Sequence, residues 1–331
     1  MNTWMLKTDN SPLARIRLFL KAIWDHASLD GMVIPIYQTG HKSVKQSAAF
    51  HPEDLREADP FVPLMQINAG KMVSELAQRH PNDHMAAVLR PCEIRALHEH
   101  AKRKGVNLDN WLVIGVDCPA CFSADDFEWR VHKAGSVEAL TNEVLRNVRQ
   151  GSIALDRFRP ACAMCIRPAS LHEDICIELL GLPARETILI GINNQDIVEK
   201  LDLEKVFDGL ASQELIAQRE HMLKTIEEHR AHIRERQIRD LAPDLPADLD
   251  QLMEFFANCQ PCVSCMEACP VHAEVLVPAF QNRRATHEMV KDWLTSCAEC
   301  GMCEQACPKE VPLAAIADRI RRDLHVETLA I

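Results

Sequence analysis

Two copies of one closely spaced cysteine run lie near the C-terminus of the chain. The first copy is C-x2-C-x2-C-x3-C-P, from Cys259 to Pro270, and the second repeats this spacing from Cys297 to Pro308. Thiolates at these intervals wrap around a polynuclear iron centre, and the fourth cysteine of each run reaches the neighbouring centre. The repeat therefore predicts two [4Fe–4S] clusters and a small folding unit built around them.

The crossed arrangement assigns to each cluster three cysteines of one run and the last cysteine of the other run. The predicted ligands are Cys259, Cys262, Cys265 and Cys307 for one cluster, and Cys297, Cys300, Cys303 and Cys269 for the other. Pro270 and Pro308 would turn the chain away after each crossed ligand, and Gly301 would let the backbone approach an inorganic sulfide. A pair of structural zinc sites is the alternative, but zinc usually takes two separated C-x2-C hooks.

Composition indicates a large globular chain rather than a small disulfide-stapled one. The 331 residues, 47% of them hydrophobic, suffice for two domains. The fourteen cysteines cluster at short gaps without an export signal, which favours metal or cluster ligation over disulfides. A net charge of −11 argues against general nucleic-acid binding, and no apolar stretch reaches the roughly 18 residues of a membrane span. We expect a cytoplasmic protein.

Strand and helix patterns alternate in the first two hundred residues. Buried strands are indicated by MVIPIY, MAAVLR, NWLVIGVD and TILIGI, and helices by AGKMVSELAQRH and CEIRALHEHAKRKG. A strand–helix–strand unit with short loops is typical of a parallel sheet. The predicted fold class is α/β: a parallel-sheet domain with flanking helices, and a smaller, mostly helical C-terminal dicluster domain.

The domain boundary is predicted at a charged segment in the second half of the chain. From Ala211 to Asp240 the sequence favours a charged helix with sparse apolar positions, and LAPDLPADLD follows with two prolines. The expected organisation is an α/β domain at 1–210, a charged helical linker at 211–250 and a dicluster domain at 251–331. The side on which the linker helix packs stays open.

Six cysteines lie outside the two runs: Cys92, Cys118, Cys121, Cys162, Cys165 and Cys176. Cys92 and Cys118 each follow a predicted strand, so both thiols would emerge at the carboxyl edge of a parallel sheet, where ligand sites gather. Cys162 and Cys165 add a C-x2-C hook from a loop. Four convergent thiols are enough for a third [4Fe–4S] cluster, whereas Cys176 has the features of an ordinary buried apolar residue.

Three segments resemble, in this order, the beta subunits of coenzyme F420-reducing hydrogenases and F420-dependent formate dehydrogenases: LRPCEIRAL, LVIGVDC and CAMCIRPASLHEDI. The resemblance covers about residues 10–200. It implies that the ligands of the third cluster are Cys92, Cys118, Cys162 and Cys165, with Cys121 as the alternative to Cys118. The C-terminal CGMCEQACP is similar to formate dehydrogenase beta subunits and to the small iron–sulfur subunit of heterodisulfide reductases.

The resemblance also raises the question of a flavin, because members of this family commonly bind FAD and exchange electrons between it and F420 or another two-electron carrier. This chain has PFVPLMQINAGKMVSEL where flavin-binding relatives usually carry a glycine-rich segment, which leaves FAD open. Asn68, Gly70 and Lys71, at the start of a predicted helix, would cradle a phosphate through free N–H groups and a cation. A plain helix cap is the alternative.

These features predict an electron-transfer subunit of a cytoplasmic oxidoreductase complex, resembling the formate dehydrogenase beta subunit. Its expected partner is a catalytic subunit of formate dehydrogenase or hydrogenase type, and no catalytic residue is assigned to the chain itself. The alternative is a non-catalytic, ferredoxin-like adaptor without flavin in a heterodisulfide-reductase-like assembly. An iron–sulfur regulator is disfavoured by the acidic charge and by the lack of a helix-turn-helix pattern.

Overall fold

A seven-stranded sheet forms the first part of the molecule. The computed structural model describes residues 2–38, 42–151, 158–193, 195–200, 202–241, 243–259 and 261–325. The strands are β1 (Asn2–Lys7), β2 (Gly31–Tyr37), β3 (Val44–Ala49), β4 (Met85–Leu89), β5 (Trp111–Val116), β6 (Ile175–Glu178) and β7 (Thr187–Ile192). Their order across the sheet is β1-β7-β6-β5-β4-β2-β3.

Helices surround this sheet and make up most of the remaining structure. The α-helices are α1 (Pro12–Ala27), α2 (Ala69–Arg79), α3 (Pro91–Lys104), α4 (Ala124–Ala134), α5 (Val137–Asn147), α6 (Pro160–Ala163), α7 (Gln195–Lys200), α8 (Gln213–Arg239), α9 (Leu249–Asn258), α10 (Ser264–Glu267), α11 (Ala273–Gln281), α12 (His287–Thr295), α13 (Met302–Gln305) and α14 (Leu313–Asp323). Short 3-10 helices span Pro52–Glu57, Val148–Gln150 and Leu203–Val206. In the part of the chain that is described, no helix is both long and apolar enough to cross a membrane.

The predicted α/β class is confirmed, with a mixed sheet that is parallel at its centre. The strands β2, β4, β5 and β6 pair in parallel, as the short crossover through α3 requires. The outer strands pair in an antiparallel manner. At one edge β3 pairs with β2, and at the other edge β7 pairs with β6 and β1 pairs with β7. The TILIGI run therefore joins the sheet, but antiparallel to its neighbour.

Both faces of the central strands are buried. Along β4, Ala86 and Val88 point into one core together with apolar residues of α1, whereas Ala87 and Leu89 point into the opposite core against α2 and α3. This alternation follows from the two-residue repeat of a strand. The carboxyl ends of β4 and β5 are consequently held rigidly between two helical layers.

Gly70 permits the close packing of α2 on α3. A Cβ at this position would lie 2.3 Å from the carbonyl oxygen of Glu93 and 2.6 Å from the backbone nitrogen of Leu97. Any larger residue would push the two helices apart. The N-terminus of α3, which carries Cys92, is therefore located by the contact with α2.

The C-terminal part has its own apolar core. Phe256 of α9 packs edge-on against Phe280 of α11 and Trp293 of α12. Residues of α14, including Ile316 and Ile320, complete this core, and cysteines of both repeats lie at its margin. The mostly helical domain predicted from the sequence is thus present, with its cysteines set against a compact apolar centre.

The predicted charged helix is α8, and it contacts both parts of the molecule. Arg219 pairs with Asp117 at 3.0 Å and with Glu178 at 3.2 Å at the edge of the sheet. Four turns later, Arg234 pairs with Asp318 of α14 and with Glu299. The helix is anchored mainly by ion pairs, because few of its apolar residues are buried.

Further polar contacts join the two parts directly. Arg103 at the end of α3 binds both carboxylate oxygens of Asp292, at 2.6 and 2.7 Å, and donates to Ser296 at 2.8 Å. Lys104 pairs with Glu274. These contacts join the C-terminal end of α3 to α11 and α12 of the C-terminal part.

We predict that Asp117→Asn destabilises the chain strongly. Asp117 is 1% exposed and accepts hydrogen bonds from Arg219 and from the backbone N–H groups of Ser170, Leu179 and Leu180. Breaking one member of a buried ion pair costs about 3–5 kcal/mol. Anaerobic chemical denaturation followed by circular dichroism measures the free energy of unfolding.

The matched control is Asp208→Asn, which removes the partly exposed ion pair with Arg15. Its expected cost is at most about 1 kcal/mol, because solvent screens such pairs. Equal losses in the two variants would show that the buried carboxylate does not anchor α8.

Candidate iron–sulfur sites

The outer thiol set combines cysteines of both repeats. Burial, together with three neighbouring thiols, raises the pKa of Cys265 to about 11. Those neighbours are Cys307, Cys259 and Cys262. We call these four residues the outer thiol set, since they lie at the end of the molecule away from the sheet.

The inner thiol set is crossed in the same way. Burial raises the pKa of Cys269 to about 12, and Cys300 and Cys297 of the other repeat raise it further. Burial also raises the pKa of Cys303 well above its usual value, with Cys297, Cys300 and Cys269 as contributing neighbours. We call Cys297, Cys300, Cys303 and Cys269 the inner thiol set.

The two sets differ in their access to solvent. Cys262 of the outer set lies near the surface, where the backbone N–H and the hydroxyl of Ser264 lower its pKa. Cys300 of the inner set is only 8% exposed, and burial raises its pKa to about 11. A cofactor held by the outer set would therefore be the more accessible of the two.

Backbone N–H groups donate to sulfurs of the inner set. The N–H of His272 points at Cys269 and the N–H of Glu299 at Cys297, both with a nitrogen–sulfur distance of 3.4 Å. Hydrogen bonds of this kind stabilise negative charge on ligating sulfur and tune the reduction potential of a cluster. The loops of both repeats thus provide donors as well as ligands.

Gly301 meets a steric requirement between the two parts of the molecule. Its φ of +67° lies in the left-handed region, and a Cβ there would lie 2.3 Å from the Cβ of Ala161 in α6. The sequence predicted close approach to an inorganic sulfide at this glycine. The neighbour among the described residues is Ala161 of the first domain, packed against the second cysteine run, and the approach to a sulfide stays a prediction.

A third group of thiols collects at the carboxyl edge of the sheet. The strands β4 and β5 each end at a loop that supplies cysteines, and α6 with the residues after it supplies a C-x2-C pair. All of them line one cavity, and Cys300 lines it too. We call the following five residues the sheet-edge thiol set: Cys92, Cys118, Cys121, Cys162 and Cys165.

The sheet-edge set lies directly beside the inner set. Burial raises the pKa of Cys92, and Cys300 is among the thiols that raise it further. Hydrogen bonding with Cys118 raises the pKa of Cys121 to about 11, and Cys121 also contacts Cys162. Because ligands must lose their protons, such thiols bind a metal centre with proton release.

Four buried arginines surround the sheet-edge set: Arg90, Arg95, Arg159 and Arg230, each no more than 5% exposed. Arg90 pairs with Glu93, whereas Arg230 donates to backbone carbonyl groups. Among the described residues, Nη2 of Arg95 and Nε of Arg159 have no hydrogen-bond partner. Buried cations are costly unless negative charge lies beside them, so thiolates bound to iron would supply such charge next to these guanidinium groups. The residues present therefore fit a [4Fe–4S] group.

The residues predicted to cradle a phosphate have other roles. The N–H of Gly70 donates to Oδ1 of Asn68 at 2.9 Å, and the N–H of Ala69 donates to Glu93 at 3.2 Å. The N–H groups that a phosphate would need at these two positions are therefore already used. Asn68 caps the N-terminus of α2, which agrees with the alternative of a plain helix cap. Lys71 pairs with Glu75 at 3.7 Å.

Asn68 also connects two of the thiol sets. Its Nδ2 donates to the carbonyl of Cys92 at 3.4 Å, and its side chain contacts the thiol of Cys300. Cys176, by contrast, lies in β6, fully buried and outside all three sets. Its sulfur lies 3.5 Å from the backbone oxygen of Glu173.

Within the residues that the structure describes, no three His, Cys, Asp or Glu side chains converge on a position for a single metal ion. A [4Fe–4S] group does not require four thiolates to converge on one position, because each thiolate binds a separate iron. The zinc alternative requires instead four donors around one ion.

Comparison with known proteins agrees with the geometry of the C-terminal part. Residues 247–311 match the family described as the 4Fe-4S dicluster domain. The chain contains a 4Fe–4S dicluster domain. Its role is therefore iron–sulfur electron transfer, and the predicted iron chemistry of the duplicated run is confirmed at this level.

The fold is also similar to that of a solved redox protein. Among thirteen matching chains is one from the F420-reducing [NiFe] hydrogenase complex of Methanosarcina barkeri, with 15% identity and a TM-score of 0.51. The match covers 72% of this chain and 91% of that one. At this identity the likeness shows the fold alone. No curated protein matches the sequence.

The buried arginines are functional candidates that the cysteine pattern did not reveal. Three of them lie within three residues of a sheet-edge cysteine, since Arg90 and Arg95 flank Cys92 and Arg159 precedes Cys162. The short spacing between arginine and cysteine in the sequence could have indicated these residues as part of the site. Arg230 gives no such signal, because only the docking of α8 brings it to the site.

We predict that the two repeats exchange their fourth ligands. A chelator should bleach an exposed cluster at the outer set quickly and a buried cluster slowly. Cys307→Ser should remove the fast phase and leave the slow one, whereas Cys269→Ser should keep the fast phase and reduce the slow one. Anaerobic stopped-flow absorbance measures both phases.

The control for this experiment is Cys176→Ala, which changes a buried cysteine outside the three sets and should retain both phases. The reverse assignment of the two phases would show that each repeat holds its own cluster without exchange.

Proposed function

We propose that the chain is an electron-transfer subunit of an oxidoreductase complex and carries three [4Fe–4S] clusters in a row. The observation that supports this most directly is the position of Cys300. This residue belongs to the inner thiol set and also lines the cavity of the sheet-edge set. Clusters on both sides of it would lie side by side, in the order sheet-edge, inner, outer.

The residues of this chain would hold, insulate and balance the clusters. When bound, each [4Fe–4S] group supplies one-electron redox chemistry. We propose as ligands the two crossed sets of the dicluster domain and, for the third cluster, Cys92, Cys118, Cys162 and Cys165. The resemblance in motif order supports Cys118 over Cys121. The buried arginines would offset the negative charge, and the apolar walls would exclude water.

A second cavity adjoins the sheet-edge site and is our proposed position for FAD or another flat two-electron carrier. Pro91, Arg167 and Pro168 border both cavities, and the second one has a volume of about 260 Å³. Its wall combines apolar residues such as Ile94 and Leu171 with charged groups such as Arg95 and Glu173. This combination is typical of cofactor pockets, and the carrier would lie beside the third cluster.

The partner that we propose is a catalytic subunit of hydrogenase or formate dehydrogenase type in the cytoplasm. The solved neighbour is a chain of a hydrogenase complex, which agrees with such a partner. The outer thiol set is the natural point of contact, because Cys262 lies near the surface. The alternative function is a flavin-free adaptor that passes electrons within a heterodisulfide-reductase-like assembly.

We predict about twelve iron atoms and twelve acid-labile sulfides per chain, four of each for every [4Fe–4S] cluster. Cys118→Ser should lower both counts to about eight by removing the third cluster. Cys121→Ser is the matched control, because it changes a neighbouring thiol of the same cavity and should keep about twelve. A wild-type count near eight would contradict the third cluster. Loss of iron only in the Cys121 variant would show that Cys121, and not Cys118, is the ligand.

A flavin spectrum separates the two functions. We predict that anaerobically purified chain with full iron content releases about one FAD on denaturation, as one carrier per cavity requires. The side chain of Glu173 lines the second cavity. Glu173→Trp should fill the space and abolish flavin binding while the iron content stays unchanged. Full iron without flavin in the wild type would favour the adaptor.

A further inference from the structure

Arg159 lies between the sheet-edge and inner thiol sets and contacts both. Its Nη2 lies 3.3 Å from the sulfur of Cys162 and donates to the carbonyl of Cys300 at 3.2 Å. Its Nη1 donates to Gln305 at 2.5 Å and lies 3.7 Å from the sulfur of Met302. One guanidinium group thus spans the boundary between the two domains.

No carboxylate among the described residues forms an ion pair with this guanidinium, although it is only 5% exposed. Its Nε has no hydrogen-bond partner there either. Its other hydrogen-bonding neighbours are neutral, namely the sulfurs of Met65 and Met302 and the amide of Gln305, and the buried carboxyl of Glu304 interacts with it without an ion-pair contact. No direct ion pair within the described part of the chain therefore balances the charge of Arg159, and anionic sulfur beside it would do so.

The other buried arginines of this region are bound differently. Arg90 has a carboxylate partner in Glu93, and Arg230 donates to the carbonyls of Cys165 and Pro119. Arg95 donates to the carbonyl of Ala298. Only Arg159, among these four, combines a hydrogen bond to a sheet-edge sulfur with a hydrogen bond to a residue of the inner set.

We infer that Arg159 is a positioning residue that supplies one positive charge to two neighbouring clusters and raises the reduction potentials of both. Reduction adds one electron, and hence one negative charge, to a cluster. In a water-poor interior a cation at hydrogen-bond distance stabilises that added charge far more than it would in water. The shared cation would therefore shift the two potentials in the same direction.

This inference rests on the proposed function, because it requires a cluster at the sheet-edge set. Its consequence is specific to two of the three clusters. The outer set has no contact with Arg159 among the described residues, so the potential of its cluster serves as an internal reference.

The test is an EPR-monitored redox titration of the anaerobically purified full-length chain. In Arg159→Gln, the equilibrium constants for reducing the sheet-edge and inner clusters should fall at least tenfold. For a one-electron couple this equals a potential about 59 mV lower. The outer cluster should change less than threefold. Arg159→Lys keeps the charge and should hold all three constants within threefold of the wild type.

The matched control is Arg103→Gln, which removes another arginine contact between the two domains, to Asp292 and Ser296, without removing a charge from the thiol sets. It should leave all three constants unchanged. Unshifted potentials in an iron-replete Arg159→Gln protein would overturn the inference, as would an equal shift in the Lys variant. If the Gln variant assembles less iron, the Lys variant provides the test. Wild-type potentials in the Lys variant support the role of the charge. A tenfold fall in its equilibrium constants for reducing the sheet-edge and inner clusters overturns that role.

The iron count distinguishes the two levels of failure. A wild-type count near eight, from two [4Fe–4S] groups, contradicts the proposed third cluster. A full count with unshifted potentials contradicts only the role of Arg159.

Discussion

The balance of charge around buried sulfur is the constraint on which this structure depends. Arg90, Arg95, Arg159 and Arg230 are nearly inaccessible to water, yet only Arg90 among them has a carboxylate partner in the described residues. Burying guanidinium groups in this way is unfavourable unless negative charge lies beside them. Thiolates bound to iron would provide that charge. The same cations also bind carbonyls on the second cysteine repeat, so charge balance and domain docking depend on one group of residues.

The helix α8 shows how such a docking is made specific. Its ion pairs reach the sheet through Arg219 and Asp117, and the dicluster domain through Arg234 and Asp318. Buried ion pairs contribute little net stability over apolar contacts but strongly penalise a wrong register. Because Asp117 immediately precedes Cys118, the pairing that seats the helix also fixes the loop that carries this thiol. The cysteine geometry is thus set by contacts distant in sequence.

The sequence predicts what depends on local spacing and misses what depends on remote contacts. The cysteine runs and the strong apolar strands β2, β4, β5 and β7 were recognised, because ligand spacing and continuous burial leave clear patterns. The strand β6 has only four residues, and β3 is a polar edge strand, so neither gives a clear periodic signal. A side chain 23 residues from Gly70, that of Glu93, accepts from the N–H of the neighbouring Ala69, and local spacing does not reveal this contact. The position of Arg230 beside the sheet-edge thiols could not be predicted for the same reason, because only the docking of α8 brings it there.

The gradient of exposure along the three thiol sets indicates how such a chain would be used. The sheet-edge set is enclosed by both domains, the inner set is buried at their boundary, and the outer set approaches the surface at Cys262. At the enclosed end, the carrier that we propose would exchange electrons from the cavity beside the sheet-edge set. Exchange at the outer end needs no cavity, since a docked protein can bring its own centre close. The asymmetry therefore favours a chain that connects a small carrier at one end with a protein partner at the other.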